Sequence, residues 1–476
     1  MRGQVGALIG RLHAMAAADP ARVAVLGPGL RLGFGALMAR VEAQAARLAR
    51  RGIAPGQTVG ITIREDAAHL IACLALLRLG CRQVTLASHD PPAMRAGIAA
   101  RLGLAVVLGE DCAAALPGHP FLPWEGEAPP ESEAPAGGEG VVMLTSSGTT
   151  GRPKLIGFGE AALLAQAGHR AGRGQVMHRP VGMEHNNGKR FALSVLANGG
   201  AWLLPAASRE GGMAEACRRY GVDLLAIAPH QAEALLATAG AGAWPARTRI
   251  DLTGAPPGER LIERLQARLT PAVHLRYGAT EVGTIAEAGP EDHAADPGGT
   301  GRLLPGVAVR VLGAGGRPLP AGEIGILHLR APGMAQGYLD DAEASGRAFR
   351  DGWFVPGDMG RLDAAGRLMV AGRADEMMML GSVNVFPAEI EAAAAGFPGL
   401  GECAAFALRS KALGEIPMLA AVPAPGAALD GAALLAHCRA LLGLRAPRRV
   451  LVLERLPRNA AGKVLRRDLA ALAAAR

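Results

Sequence analysis

The stretch Leu144-Thr-Ser-Ser-Gly-Thr-Thr-Gly-Arg-Pro-Lys154 decides how this chain reads. It follows the apolar run Val141–Leu144, which predicts a strand. Three hydroxyl residues, then Gly-Thr-Thr-Gly, then a lysine make a loop rich in hydrogen-bond donors. Its glycines let backbone N–H groups approach an anion closely, and its hydroxyls and Lys154 add further phosphate ligands. It is not the Walker loop, which needs four residues between its first Gly and Gly-Lys-Ser/Thr.

Strands alternate with helices on both sides of this loop. Helix-like apolar spacing covers 36–52 and 67–80, and short β-type runs occur at Val59–Ile63, Val84–Leu86 and Leu104–Leu108. The Pro/Glu/Gly/Ala stretch from Glu125 to Gly140 reads as a surface connection. The alternation resumes with Ala201–Leu204, Met213–Tyr220, Leu224–Ile227 and Gln231–Thr238. From about 298 to 372, short strands separated by Gly and Pro turns predict a small β-rich unit, and 376–476 read as a compact α+β domain. The predicted fold class is therefore α/β. It has a large N-terminal domain with doubly wound sheets plus a small β-rich subdomain, and a mobile α+β C-terminal domain.

Composition narrows the function. The chain has 476 residues, half of them hydrophobic and 19% charged, which excludes wholesale disorder. Aromatic residues are only 3%, which argues against stacking platforms for single-stranded nucleic acid. The formal net charge is +8, and residues 401–476 carry twelve Lys or Arg against five Asp or Glu, so nearly all of the excess sits there. That points to an anionic ligand or partner, such as a phosphorylated cofactor, an acidic protein or a nucleic acid, or else to a solvated basic face. The six cysteines form no CxxC pair and no zinc spacing, and read as core residues of a reduced, cytoplasmic protein. No membrane span is expected, and the N-terminus reads as an amphipathic helix rather than a signal peptide.

Four further strings carry chemistry. Arg276-Tyr-Gly-Ala-Thr-Glu281 offers a turn, a hydroxyl and a carboxylate suited to Mg²⁺. Trp353-Phe-Val-Pro-Gly-Asp358 places a carboxylate after a glycine turn, where it could accept two ribose hydroxyls. Gly372-Arg-Ala-Asp-Glu376 leads into Met377–Ser382 and Pro387-Ala-Glu-Ile-Glu391, and Leu456-Pro-Arg-Asn-Ala-Ala-Gly-Lys463 lies near the C-terminus.

In this order and spacing the five strings resemble the adenylate-forming superfamily of acyl- and aryl-CoA synthetases, adenylation domains and firefly luciferase. The helix near 8–17, Gly322–Gly325 and Gly333-Met-Ala-Gln-Gly-Tyr338 also match its pattern, so the resemblance spans nearly the whole chain. The stretch from Gly372 to Glu391 is most similar to the aryl-CoA and succinylbenzoate-CoA ligase branch.

The resemblance implies a role for each motif. Thr145, Ser146, Ser147, Gly148, Thr149, Thr150, Gly151 and Lys154 would wrap the ATP phosphates. Thr280 and Glu281 would serve the α-phosphate and Mg²⁺, with Gly278 forming the turn. Tyr277 would stack near the adenine, and Gly254, Ala255 and Pro256 would line its other side. Asp358 and Arg373 would hold the ribose. Residues 1–373 would form the adenylation domain and 374–476 the mobile domain, with Asp375 as hinge and Lys463 reaching into the site. Glu184, His185 and Gly188 would belong to the acid pocket, Glu184 pairing with Arg190 or Lys189 or else meeting a substrate ammonium or hydroxyl. Two departures stand out: Pro356 replaces the usual Thr, and Ser382 replaces a Gly beside the pantetheine tunnel.

The implied activity is ATP-dependent conversion of a small carboxylic acid to acyl-AMP and transfer to a thiol, with ATP, Mg²⁺ and CoA as cofactors. The alternative acceptor is the phosphopantetheine of a separate acidic carrier protein. A nucleotide-binding protein without activity is opposed by intact Lys154, Glu281, Asp358 and Lys463. Polar residues at 184–187 imply a small or medium polar acid rather than a long-chain fatty acid.

Overall fold

The computed structural model describes the chain except residues 1–4, 111–115, 117, 126–133, 136, 147–152, 168–171, 240–243, 246, 258, 297, 381–382, 411–413, 459–463 and 475–476. Two large sheets share one core. The first has six strands in the order Phe121–Pro123, Val106–Gly109, Thr58–Thr62, Arg82–Thr85, Val141–Ser146 and Lys154–Gly159. All pair in parallel except the last two, which form an antiparallel hairpin with Ser146 opposite Lys154. The register between Arg82–Thr85 and Val141–Ser146 sets Val84 beside Met143, so the loops after both strands leave the sheet at the same edge.

The second sheet has a parallel centre: Val273–Ala279, Arg249–Thr253, Leu224–Ile227, Val176–His178, Ala201–Leu203 and Val23–Gly27. The β-rich stretch after residue 298 is continuous with this sheet. Gly301–Leu303 pairs with Gly283–Ala288 on one side and Arg367–Arg373 on the other, and Asp358–Leu362 follows next in line. Unpaired edge groups on Gly283–Ala288 are thereby satisfied, and Asp358 and Arg373 are carried toward the end of Val273–Ala279.

Helices fill the space between the sheets. Asp66–Arg78 is apolar all round, with Leu70, Leu74 and Leu77 fully buried, as a helix covered on every side must be. Glu65 caps it, its carboxylate accepting from the Ala67 and Ala68 amides at 2.9 and 2.6 Å. Phe34–Arg50 has one apolar face, with Phe34, Leu37 and Val41 in the core. The first helix, Ala7–Ala18, inserts Leu8, Ile9 and Leu12 into the same core. The buried carboxylate of Glu160 pins it there by accepting from the Ile9 amide at 2.9 Å.

The smaller C-terminal domain has five strands, with Gly414–Pro423 between Leu400–Ser410 and Arg449–Val452. Helices Pro387–Ala394 and Gly431–Leu442 cover one face and Arg466–Ala474 the other. Arg260 of the large domain donates to the Gly396 carbonyl of this one at 2.7 Å.

Candidate active site

The hairpin of Val141–Ser146 and Lys154–Gly159 closes at Ser146–Lys154, so Lys154 stands beside the end of the first strand. Ser147, Gly148, Thr149, Thr150 and Gly151 lie outside the described residues, as does the Ser146 side chain. The Lys154 ammonium sits 4.5 Å from the centre of the Tyr338 ring. The Tyr338 hydroxyl donates to Glu281 Oε1 at 3.0 Å. Lys154, Tyr338 and the buried Glu281 therefore form one connected group, and burial followed by the Glu281 charge raises the tyrosine pKa.

A second group grows from the same turn. Val273–Ala279 carries Tyr277, and its hydroxyl donates to Asp358 Oδ2. Burial first, then the Asp358 carboxylate, hold the Tyr277 pKa well above its ordinary value. Asp358 and Arg373 face each other across neighbouring antiparallel strands, with Arg373 Nη1 3.4 Å from Asp358 Oδ1. The other side of the guanidinium grips Asp375 at 2.9 and 3.2 Å, and Nη1 also donates to the Pro356 carbonyl. The backbone at Pro356 thus supplies an acceptor even though the usual Thr hydroxyl is missing. Gly357 has φ +84°, a left-handed conformation suited to glycine.

Gly278 cannot be substituted without rearrangement, because a Cβ there would lie 2.1 Å from the Gly283 carbonyl oxygen. That close approach turns the chain so that Tyr277 faces Asp358 and Glu281 faces Tyr338. The loop Gly254, Ala255 and Pro256 follows the adjacent strand Arg249–Thr253, whose Thr253 pairs with Arg276, and Gly254 has φ +96°. Gly254 thus follows directly on the strand that lies beside the one carrying Tyr277.

The residues expected in the acid pocket sit at the start of the helix Asn186–Ala197. Asn186 Nδ2 donates to Thr145 Oγ1 at 3.1 Å and to the Thr145 carbonyl, which joins this helix start to the end of the strand Val141–Ser146. Gly188 is packed so tightly that a Cβ would lie 2.0 Å from the Gly182 carbonyl oxygen. His185 stacks on His89, ring centres 4.3 Å apart and planes 20° off parallel. Burial, and then His89, lower the His185 pKa.

The pairing expected for Glu184 is corrected. Both of its oxygens are taken by Ser88, from the amide at 2.6 Å and the hydroxyl at 2.8 Å. Lys189 instead points into the core, fully buried, and donates to Thr85 Oγ1. Arg190 donates from Nη1 to the Thr280 carbonyl at 2.9 Å and from Nη2 to Gln166 Oε1. The helix starts only at Asn186, so Glu184 stays on the preceding loop while Lys189 and Arg190 turn with the helix to other faces.

Ser88, His89, Gln166 and Tyr338 were not singled out as site residues. A usable signal existed for the first two: they follow a parallel strand at its C-terminal end, where open α/β sheets bind ligands. Lys463 and Ser382 lie outside the described residues. Arg458 and Val464, which bracket the Lys463 loop, form an isolated β-bridge.

Among the described residues, no group of three or more His, Cys, Asp or Glu side chains could hold a metal. A lone buried carboxylate nonetheless suits Mg²⁺, which keeps several waters and is commonly bound through one or two carboxylates plus substrate phosphates. Glu281 fits: Tyr338 engages one of its oxygens, and the hairpin lysine is one aromatic ring away. Among the described residues, no helix is long and apolar enough to cross a membrane.

The AMP-binding enzyme pattern matches residues 12–339, and the AMP-binding enzyme C-terminal domain pattern matches 389–463. The 2-succinylbenzoate–CoA ligase of Geobacillus kaustophilus is 29% identical, over 94% of this chain and 95% of its own. A feruloyl-CoA synthase of Amycolatopsis is 29% identical, over 95% of this chain and 96% of its own. Among solved structures, the o-succinylbenzoate CoA synthetase of Bacillus subtilis with its acyl-adenylate intermediate superposes with a TM-score of 0.84. That pair shares 23% identity over 96% of this chain and 97% of the other. With the first pattern alone spanning more than half of its length, the chain belongs to the AMP-binding enzyme family.

Proposed function

We propose that this protein is an AMP-forming acid–CoA ligase acting on a small or medium polar carboxylic acid. The observation that carries the reading is the double anchoring of the turn Tyr277–Glu281. Its first residue bonds to Asp358 and its last to Tyr338, beside Lys154. A nucleoside-facing group and a phosphate-facing group are thereby held a few residues apart, as one ATP molecule requires.

Two half-reactions follow. The acid's carboxylate oxygen attacks the ATP α-phosphorus, the bond to the bridging oxygen breaks, and pyrophosphate leaves. The CoA sulfur then attacks the acyl carbon and AMP leaves, with the thiol proton released to solvent. Lys154, Thr145 and the loop after it orient the phosphates. Asp358 and Arg373 hold the ribose, and Tyr277 with Gly254–Pro256 borders the adenine. Glu281 and the phosphates would hold Mg²⁺, which when bound offsets repulsion between the carboxylate and the phosphates. Lys463 reaches the site from residues 374–476 as they rotate about Asp375, and leaves it for thiolysis. Electrostatic stabilisation of developing charge is usually the largest catalytic contribution, so no protein nucleophile is needed.

The relatives that act on 2-succinylbenzoate and ferulate support an acid bearing polar substituents. The stacked His185–His89 pair and the neighbouring Asn187 support it too, because they offer polar groups to such an acid. Glu184 accepts from the Ser88 amide and hydroxyl, which fixes its orientation while its charge stays available to a substrate ammonium. CoA is the acceptor favoured over a carrier protein because both relatives use it. The test is pyrophosphate release with a panel of acids, followed by AMP release with CoA or a pantetheinylated carrier. Pyrophosphate release with no acid, or AMP release with the carrier alone, overturns the corresponding half of the reading.

A further inference from the structure

Arg179 directly follows the strand Val176–His178, at the C-terminal end of the parallel part of the second sheet. That is the edge at which open α/β sheets bind ligands. Leu225 lies beside His178 on the neighbouring strand, so the small Ala226 comes beside Arg179, and Asp251 is the next residue across. The Arg179 guanidinium lies 5.7 Å from the centre of the Phe191 ring. Phe191 belongs to the helix Asn186–Ala197, whose first residues are those expected in the acid pocket. Arg179 therefore sits between the second sheet and that helix, and it is only 7% exposed.

The charges beside it do not balance. The buried Asp251 accepts from Arg249 Nε, and its other oxygen lies 3.2 Å from Arg276 Nη1. Glu287 is held by Arg249 Nη2 at 2.7 Å, His274 Nδ1 at 3.0 Å and Arg276 Nε at 3.3 Å. Two carboxylates are thus shared by two arginines and a histidine, and Arg179 adds a third guanidinium. Its Nε is enclosed without a hydrogen-bond partner, and among the described residues no oxygen accepts from its Nη1 or Nη2. Burial lowers its pKa to about 10, which leaves it charged at neutral pH. A buried charge is costly unless it is paired and hydrogen-bonded. An arginine fork matches a carboxylate with two parallel hydrogen bonds, so a carboxylate brought from outside would supply both the missing charge and the missing acceptors.

We propose that Arg179 is a specificity-determining residue whose guanidinium receives a second carboxylate of the substrate, so that the acid this protein activates is a dicarboxylic acid. One carboxylate closes the ion pair with Arg179, and the other is left free to attack ATP. This rests on the reading of the protein as an acid-activating ligase.

The experiment measures kcat/KM for pyrophosphate release by the full chain with terephthalate, isophthalate, glutarate and succinate, each beside its monoamide, which keeps the shape and removes the second charge. The wild type should prefer at least one diacid over its monoamide by about tenfold or more, because the amide leaves the buried guanidinium unpaired. Arg179→Met should lose that preference by lowering kcat/KM for the diacid while leaving the monoamide nearly unchanged. A wild type that favours no diacid over its monoamide overturns the proposal, as does a preference that survives Arg179→Met. The comparison within the wild type needs no variant, so it decides even if Arg179→Met does not fold. Pyrophosphate release from monoamides or benzoate with no preference for a diacid defeats only the role of Arg179, whereas absence of release with every acid defeats the proposed function. Melting temperatures of the wild type with each member of a pair need no turnover. A larger rise with the diacid supports the subsite, and equal rises across all pairs overturn it.

Discussion

The Tyr338 hydroxyl lies 3.0 Å from Glu281 Oε1 and donates to it across 57 residues of chain. This single bond joins the loop after Ala331 to the turn that carries the carboxylate proposed to face the metal, and the same ring underlies Lys154 at 4.5 Å. A hydrogen bond to a charged group contributes about 1.5–3 kcal/mol. Tyr338→Phe should therefore lower kcat/KM for pyrophosphate release by about tenfold or more while leaving the aromatic packing on Phe349 in place. The measurement is steady-state pyrophosphate release beside a thermal melt. An unchanged kcat/KM would show that the bond does not matter to the chemistry.

Arg373 divides its guanidinium between Asp358, in the proposed ribose site, and Asp375, the proposed hinge. Asp375→Pro fixes φ near −65° and also removes the carboxylate. Hinge residues absorb large backbone changes, so acyl-AMP formation and thiolysis of supplied acyl-AMP should be slowed unequally. Rapid-quench assay of each half-reaction gives the ratio, and a ratio equal to the wild type moves the hinge elsewhere.

Lys463→Ala should slow acyl-AMP formation by about a hundredfold or more, the usual cost of losing one donor to developing charge. On the proposed domain rotation, which withdraws the lysine for that step, thiolysis should suffer much less. Equal losses in both half-reactions contradict a swinging role.

Acid should weaken the fold in two stages. Burial holds His178 down at about 4, with its ring nitrogens shared between the Leu203 carbonyl and the Ser208 hydroxyl. A histidine whose folded pKa is depressed contributes stability above its unfolded value near 6.5, and this is lost as pH falls toward 4. The loss is about 3 kcal/mol in order of magnitude. Below that, Glu287 takes over. Burial raises its pKa but is outweighed by His274, Arg276 and Arg249, which bring it to about 2, so its contribution is lost as pH falls from about 4.5 toward 2. Melting temperatures from pH 7 to 4 should fall less steeply in His178→Gln than in the wild type, and parallel curves would remove His178 from the account.

The acid pocket gives a substrate prediction. His89→Leu replaces one of two stacked imidazoles and should shift preference from hydroxybenzoates toward unsubstituted benzoate by about tenfold, the usual range for a lost polar contact. Glu184→Gln keeps an acceptor for Ser88 but removes the charge, so a selective loss of amine-bearing acids would show that this carboxylate meets a substrate ammonium. Ratios of kcat/KM across the panel test both statements, and preferred turnover of palmitate by the wild type would defeat the polar-pocket reading.

The sequence by itself determined the alternation of strands and helices and the chemistry carried by short contiguous strings. The helices expected at 36–52 and 67–80 are found at Phe34–Arg50 and Asp66–Arg78, since apolar periodicity fixes which face is buried. Lys154, Tyr277, Glu281, Asp358 and Arg373 stood out through the resemblance of their strings, in order and spacing, to one family. Lys154 and Glu281 meet through Tyr338, while Tyr277, Asp358 and Arg373 form the second group. The tertiary structure alone decided which side chains pair. Glu184 meets Ser88 across 96 residues and His185 stacks on His89, while Lys189 and Arg190, adjacent in sequence, leave in different directions. Strand order in the two sheets and the position of the helix start at Asn186 set those partners. Both depend on long-range packing, because a side chain's direction follows from where its helix begins and its neighbours follow from which strands lie side by side.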